Sequence, residues 1–284
     1  MPIPLCGRRE AEVLLDSCNA ARSPAVPART ALQAVPDRLL GVRAAWPGGR
    51  TSEAVIEPGS STSEQRTSEQ RTRGGGGASA LADWIAAWQP EDPAVQSARQ
   101  RAAEVGVSAV DVPTGGVLRL LAAATGAKAV VELGTGAGVS SLCLLRGMRS
   151  DGILTSVDAE PEHQRMAKAS LQEAAVPSGR ARLIGGRALD VLPRLSDAAY
   201  DLVFCDANRS ENLDYLDAAL RLLRPGGTVV FAGALAGGKV AESSARDQDV
   251  LALRELAKVV RDEPRLASAA IPVGQGLLAA CVVG

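Results

Sequence analysis

Histidine is almost missing from this chain: His163 is the only one in 284 residues. That scarcity excludes a histidine-built metal cluster. A Ser-His-Asp triad is excluded too, because His163 sits in "EPEHQRM" among charged neighbours and reads as a surface residue. Net charge is nearly missing as well, 31 basic against 32 acidic side chains giving -1. No basic excess recruits nucleic acid, and no field steers a charged partner. No stretch is long and charge-free enough to span a bilayer, and "MPIPLCGRRE" lacks the apolar centre of a secretory signal. Five cysteines, odd in number and without CxxC spacing, read as free thiols and predict a cytoplasmic protein.

What the chain does have begins near residue 79. Before it, apolar residues are scattered, and "TSEQRTSEQRTRGGGG" holds a tandem duplication followed by four glycines. Such a segment buries too little surface to offset its ordering entropy, so residues 1–78 are expected to be a disordered, low-complexity tail. Residues 79–284 are expected to form one domain. "SALADWIAAW", with Ser79 as N-cap, "DPAVQSARQRAAEVG" and "GGVLRLLAAATG" read as helices. Trp84 and Trp88 share a helix face, for core or subunit packing. Strands are then predicted at 129–133, 152–158, 181–185, 201–206 and 228–233, with helices at 138–148, 161–175, 188–195 and 210–223. This alternation predicts an α/β fold, a Rossmann-like, doubly wound and mostly parallel sheet covered on both faces. Gly274-Gln275-Gly276 between two apolar runs adds an antiparallel C-terminal hairpin, for seven strands in all.

The first strand ends in "AVVELGTGAGVSS". Gly134, Gly136 and Gly138 let the chain bend tightly and approach a ligand with no Cβ in the way. A dinucleotide fingerprint would need glycine at 139, where Val139 stands. Glu132 adds a negative charge beside the turn, which suits an ammonium or sulfonium group better than a pyrophosphate. Asp158 closes the second strand at the spacing of a ribose-binding acid, although a helix-capping role fits the same position. Asp206 closes the fourth strand and faces the same cleft.

Taken in order, "VELGTGAGVS", "DGILTSVDAEPEH", "YDLVFCDA" and "ALAGGKV" resemble class I S-adenosylmethionine-dependent O-methyltransferases related to catechol and caffeoyl-CoA methyltransferases, and among them a mycobacterial and actinobacterial subgroup. The resemblance runs from about residue 92 to the C-terminus. It implies a bacterial enzyme with S-adenosylmethionine as cofactor and a small-molecule acceptor, and a homodimer built partly from N-terminal helices. It places cofactor contacts on Val110, Glu132, Gly134, Thr135, Ser140, Asp158, Ala159, Ala188, Asp206 and Asn208, to which the glycine turn adds Gly136 and Gly138. Ser140 lies near a helix start, where its hydroxyl can bond the methionine carboxylate. Val110 and Ala159 would supply apolar walls.

The chain also departs from that family. Metal-dependent members ligate a divalent cation with an Asp after strand four and an Asp-Asn pair after strand five. Asp206 keeps the first position, but Ala232 and Gly233 replace the pair, and one carboxylate is too few for an oxygen-ligated cation. The expectation is therefore no catalytic metal. Where the family has a lysine credited as base, Arg209 stands, and arginine stays protonated. Asp206 and Arg209 are the candidate catalytic residues, Arg209 to stabilise a phenolate or hold an acidic substrate, although a solvated place on the loop fits Arg209 equally well. The expected activity is metal-independent O-methylation of a phenol- or catechol-like molecule. Its alternatives are a cofactor-binding protein without turnover and, less favoured, a nicotinamide-dependent oxidoreductase.

Overall fold

The computed structural model describes residues 80–283, apart from 82 and 86. The tail expected over 1–78 and the Ser79 cap lie outside the described residues. Residues 80, 81, 83–85, 87 and 88 are helical, and Trp84 and Trp88 stack on each other with ring centroids 5.5 Å apart. Both rings are mostly exposed, so of the two packing roles expected for them the core is not one.

Two further helices precede the sheet. α1 (Pro93–Glu104) starts where the Asp92 carboxylate accepts the N–H groups of Ala94 and Val95 at 3.1 and 3.3 Å. α2 (Val112–Ala124) starts the same way, Asp111 accepting from Thr114 at 2.9 Å with Pro113 in the first turn. Each acid satisfies N–H groups that a helix start leaves without partners.

Five strands then alternate with helices: β1 (Ala129–Leu133), α3 (Val139–Gly147), β2 (Ile153–Asp158), α4 (Pro161–Glu173), β3 (Ala181–Gly185), α5 (Ala188–Val191), β4 (Tyr200–Cys205), α6 (Asn212–Leu222) and β5 (Leu223–Phe231). After α7 (Gln248–Asp262) the chain closes with β6 (Leu266–Ile271) and β7 (Leu277–Val282), joined at Gly274-Gln275-Gly276. The sheet has seven strands in the order β3-β2-β1-β4-β5-β7-β6. β7 runs antiparallel to β5 and β6, while the other pairs are parallel. β5 starts earlier than expected: Leu223 pairs with Tyr200 and Thr228 with Leu202, so Pro225-Gly226-Gly227 bulges out inside the strand instead of preceding it.

Alternation along each strand divides the core. Val130, Leu154, Leu202, Phe204 and Val230 face α1 to α4, whereas Val131, Leu133, Val157, Val203 and Phe231 face α5 to α7. Burying each such side chain contributes about 2 kcal/mol. At the opposite end from the glycine turn, Asp201 ties three strands together. Its carboxylate accepts the N–H groups of Lys128 and Ala129 at 2.5 and 2.8 Å and pairs with Arg224. Burial opposes that charge, but these donors outweigh burial and hold the carboxyl below its ordinary range.

Candidate active site

The crossover order places β1 between β2 and β4, and chain direction reverses its progress across the sheet there. In such sheets a crevice opens beyond the carboxyl ends of the strands. β1, β2 and β4 end at Leu133, Asp158 and Cys205, and their loops enclose two adjoining cavities. One, of about 380 Å³, is lined by Val110, Thr135, Gly136, Ser140, His163 and Asp206 among others. The second, of about 240 Å³, is lined by Ala159, Arg187, Ala188, Asn208 and Tyr215 among others. Gly134 and Asp158 line both. Together they reach the size of an elongated small-molecule site.

Of the expected contact residues, Glu132 and Gly138 do not line this cleft. The strand pleat explains Glu132. It shares the Val130 face of β1, under α3, and is fully enclosed. Its Oε2 accepts from the hydroxyls of Ser141 and Ser156, the latter at 2.5 Å, while Oε1 is buried with no hydrogen-bond partner. Burial raises the carboxyl from 4.5 to about 7. Ser140, Ser141 and Ser156 oppose that rise, and the neighbouring Asp206 adds to it. Ser140 stabilises the charge without meeting hydrogen-bond geometry at Oε1, and it is also the residue of this group that lines the cleft. Ser140 thus links the enclosed Glu132 to the wall of the cleft.

The glycine turn is also built differently from expectation. The close approach at Gly134 is to protein: a Cβ there would fall 2.1 Å from the carbonyl oxygen of Asp206. With φ of +91° besides, only glycine lets the β1 turn pack against the end of β4. Gly138 caps α3 at positive φ and packs against Ala167 of α4.

Asp158 bonds to the backbone on both sides of the cleft wall, and Glu160, not Asp158, stands at the N-cap of α4. Its Oδ2 accepts the N–H groups of Thr135 and Gly136 at 2.9 and 3.0 Å, and its Oδ1 accepts that of Glu160 at 2.9 Å. One carboxylate thus fastens the glycine turn and orders the entry to α4, while staying on the wall of both cavities. Thr135 is held further by a 2.7 Å bond between its hydroxyl and that of Ser156. Sequence reasoning missed His163. The first turn of α4 folds back so that its Nδ1 lies 3.1 and 3.2 Å from the two oxygens of Asp158. The signal available was its five-residue separation from the strand-ending acid.

Just beyond β4, Asp206 opens onto the larger cavity, yet enough protein surrounds its carboxyl to desolvate it. That effect raises its pKa, and the nearby Arg209 guanidinium lowers it. Asn208 starts a short 3₁₀ turn, its Oδ1 accepting from the N–H and hydroxyl of Ser210 at 3.1 and 2.9 Å. Tyr215 packs in the core, and its hydroxyl donates to Glu211 at 2.6 Å. Arg209 lies against Gly233: a Cβ on that glycine would sit 2.7 Å from Nη2. Ala232 is buried in the core facing α1 to α4. Among the described residues, no three His, Cys, Asp or Glu side chains meet in a cluster suited to a metal. The residues after β5 therefore do not fit a divalent cation beside Asp206.

The model of the family described as "O-methyltransferase" matches residues 91–282. The chain belongs to the O-methyltransferase family. A Mycobacteroides abscessus relative, described no further than that family, is 52% identical over 190 residues, which cover 67% of this chain and 88% of the relative. Among solved structures, a Corynebacterium glutamicum protein matches with a TM-score of 0.69 at 34% identity, covering 73% of this chain and 98% of its own. The O-methyltransferase TomG of Streptomyces achromogenes, involved in tomaymycin synthesis and solved with S-adenosylmethionine, gives 0.67 at 32%, covering 72% and 96%. Family and topology agree: this O-methyltransferase keeps its cleft at the switch point, where Asp158 and Asp206 converge.

Proposed function

We propose that this O-methyltransferase uses S-adenosylmethionine to methylate a hydroxyl of a small phenol- or catechol-like molecule without a divalent cation, in the cytosol and as a homodimer. The observation that carries the reading is the buried Glu132 carboxyl, one oxygen unpartnered, separated by Ser140 from a cleft that Asp158 and Asp206 also line. A negative charge held in that enclosure favours a cationic ligand, and the residues present fit one that also carries a ribose. The exposed Leu81, Trp84 and Trp88 support an interface between two copies.

Bound there, S-adenosylmethionine supplies a methyl group activated on a sulfonium. Ser140, at the start of α3, would hold the methionine carboxylate, where the helix dipole favours an anion. Asp158 would accept the ribose hydroxyls. Ala159, Ala188 and Asn208 would bound the base in the smaller cavity, while Val110, Thr135 and Gly136 close the larger. Asp206 would take the proton that the acceptor hydroxyl loses. Its raised pKa makes it a better acceptor than an ordinary aspartate, and a phenol near 10 surrenders that proton late. Alignment and exclusion of water are the protein's main contribution.

The test is methyl transfer from labelled S-adenosylmethionine to a panel of phenols and catechols, with and without EDTA, beside calorimetry with S-adenosylhomocysteine and NAD⁺. Expected are heat with the homocysteine compound, none with NAD⁺, and turnover that EDTA leaves intact. Turnover abolished by EDTA would overturn the metal-free reading. Cofactor binding with no transfer to any acceptor would favour a binding protein, a reading supported by the missing cation ligands and lysine.

A further inference from the structure

We propose that Arg209 is an anion anchor that selects acceptors bearing a carboxylate in addition to the hydroxyl to be methylated. The inference rests on the methyltransferase reading and names a substrate class for the same site. The ends of β4 and β5 stand side by side, with Cys205 paired to Phe231. Beyond them, the space that a side chain at 233 would fill is taken by the arginine: the hypothetical Cβ lies 2.7 Å from Nη2, 3.4 Å from Cζ and 3.5 Å from Nε. Gly233 has φ of +62°, so the backbone itself discourages a side chain there. Arg209 lines neither cavity itself, but its guanidinium lies near Asp206, which lines the larger one, and lowers the pKa of that carboxyl.

That cation is weakly engaged. Its one ion pair among the described residues, with Asp249 near the start of α7, spans 3.8 Å, beyond hydrogen-bonding distance. The Asp249 side chain is 63% exposed and that of Arg209 40%. Pairs so open to water contribute at most about 1 kcal/mol. A planar guanidinium offers two parallel N–H donors, and a carboxylate that accepts both gains more than Asp249 provides. An acceptor carrying such a group would displace that loose contact and be oriented by the fork, its hydroxyl left for Asp206. A neutral phenol gains nothing from the same arginine.

The experiment is calorimetry into protein saturated with S-adenosylhomocysteine, using salicylate, protocatechuate and caffeate, each beside its carboxamide. At least one acid should bind about tenfold or more tightly than its amide, the worth of one well-formed charge pair. Arg209→Met should erase that preference, and Arg209→Lys should restore only part of it. Asp249→Asn, which removes the competing carboxylate, should strengthen acid binding two- to three-fold and leave the amides unchanged. The heat of S-adenosylhomocysteine itself reports that each variant is folded. Acids and amides binding alike, neither binding, or a preference that survives in Arg209→Met would overturn the anchor. Failure of S-adenosylhomocysteine to bind the unaltered protein would instead overturn the methyltransferase reading.

Discussion

Replacing Glu132 by glutamine tests whether a buried, titrating charge underlies the cleft. The carboxyl is raised from 4.5 to about 7, mainly by burial. Its folded pKa exceeds the unfolded one, so the folded state binds the proton more tightly. Stability is therefore greatest below about pH 4.5 and declines as pH rises to about 7, above which the penalty is complete. At 1.36 kcal/mol per pKa unit, the rise corresponds to about 3 kcal/mol lost by the unaltered protein across that window. Glutamine carries no charge and escapes that loss. Its amide nitrogen would stand where Oε1 has no partner, a pH-independent cost of about 1–3 kcal/mol. The stability of Glu132→Gln relative to the unaltered protein should thus climb by about 3 kcal/mol between the two pH limits, whatever its starting offset. In a domain of this size that is roughly 6 to 12 °C of relative melting temperature, read by scanning calorimetry without ligand. A difference that stays flat within about 1 kcal/mol across the window would refute the reasoning. With the charge gone, S-adenosylhomocysteine should also bind at least about tenfold more weakly at neutral pH.

Other perturbations separate packing from ligand contact. Gly134→Ala drives a methyl group into the Asp206 carbonyl at positive φ, and should cost about 4 kcal/mol or prevent folding, seen as loss of a cooperative urea transition. Asp158→Asn keeps the shape but loses charge-assisted bonds to Thr135 and Gly136. Its affinity for S-adenosylhomocysteine should drop about thirtyfold by calorimetry, a loss of about 2 kcal/mol. Tyr215→Phe removes only the bond to Glu211 while the ring stays packed, so chemical denaturation should show a loss of about 1 kcal/mol.

Much of this architecture was legible because local and global signals agree. Apolar runs ending in Gly or Asp mark β1, β2 and β4, and Gly274-Gln275-Gly276 marks the hairpin. β5 was misplaced at its start because a Pro-Gly-Gly stretch reads as a turn, yet Leu223 can pair with Tyr200 across the bulge. Glu132 reads in the sequence as a charge beside the turn, and the structure encloses it under α3. The pleat already puts it with Val130 on a helix-covered face, so its enclosure could have been read from period-two alternation. His163 was dismissed because its neighbours are charged, and only the fold shows α4 turning it back onto Asp158. The contact of Arg209 with Gly233 joins two loops remote in sequence. No local pattern reports that kind of proximity.

The same contact limits how this site can change. A side chain at 233 would meet the guanidinium and require the far end of Arg209 to shift, whereas shortening residue 209 would leave Asp206 without its neighbouring cation. Carboxylates added at 232 would enter a packed interior. Placing further oxygen ligands beside Asp206 would therefore involve the segments after β4 and β5 together.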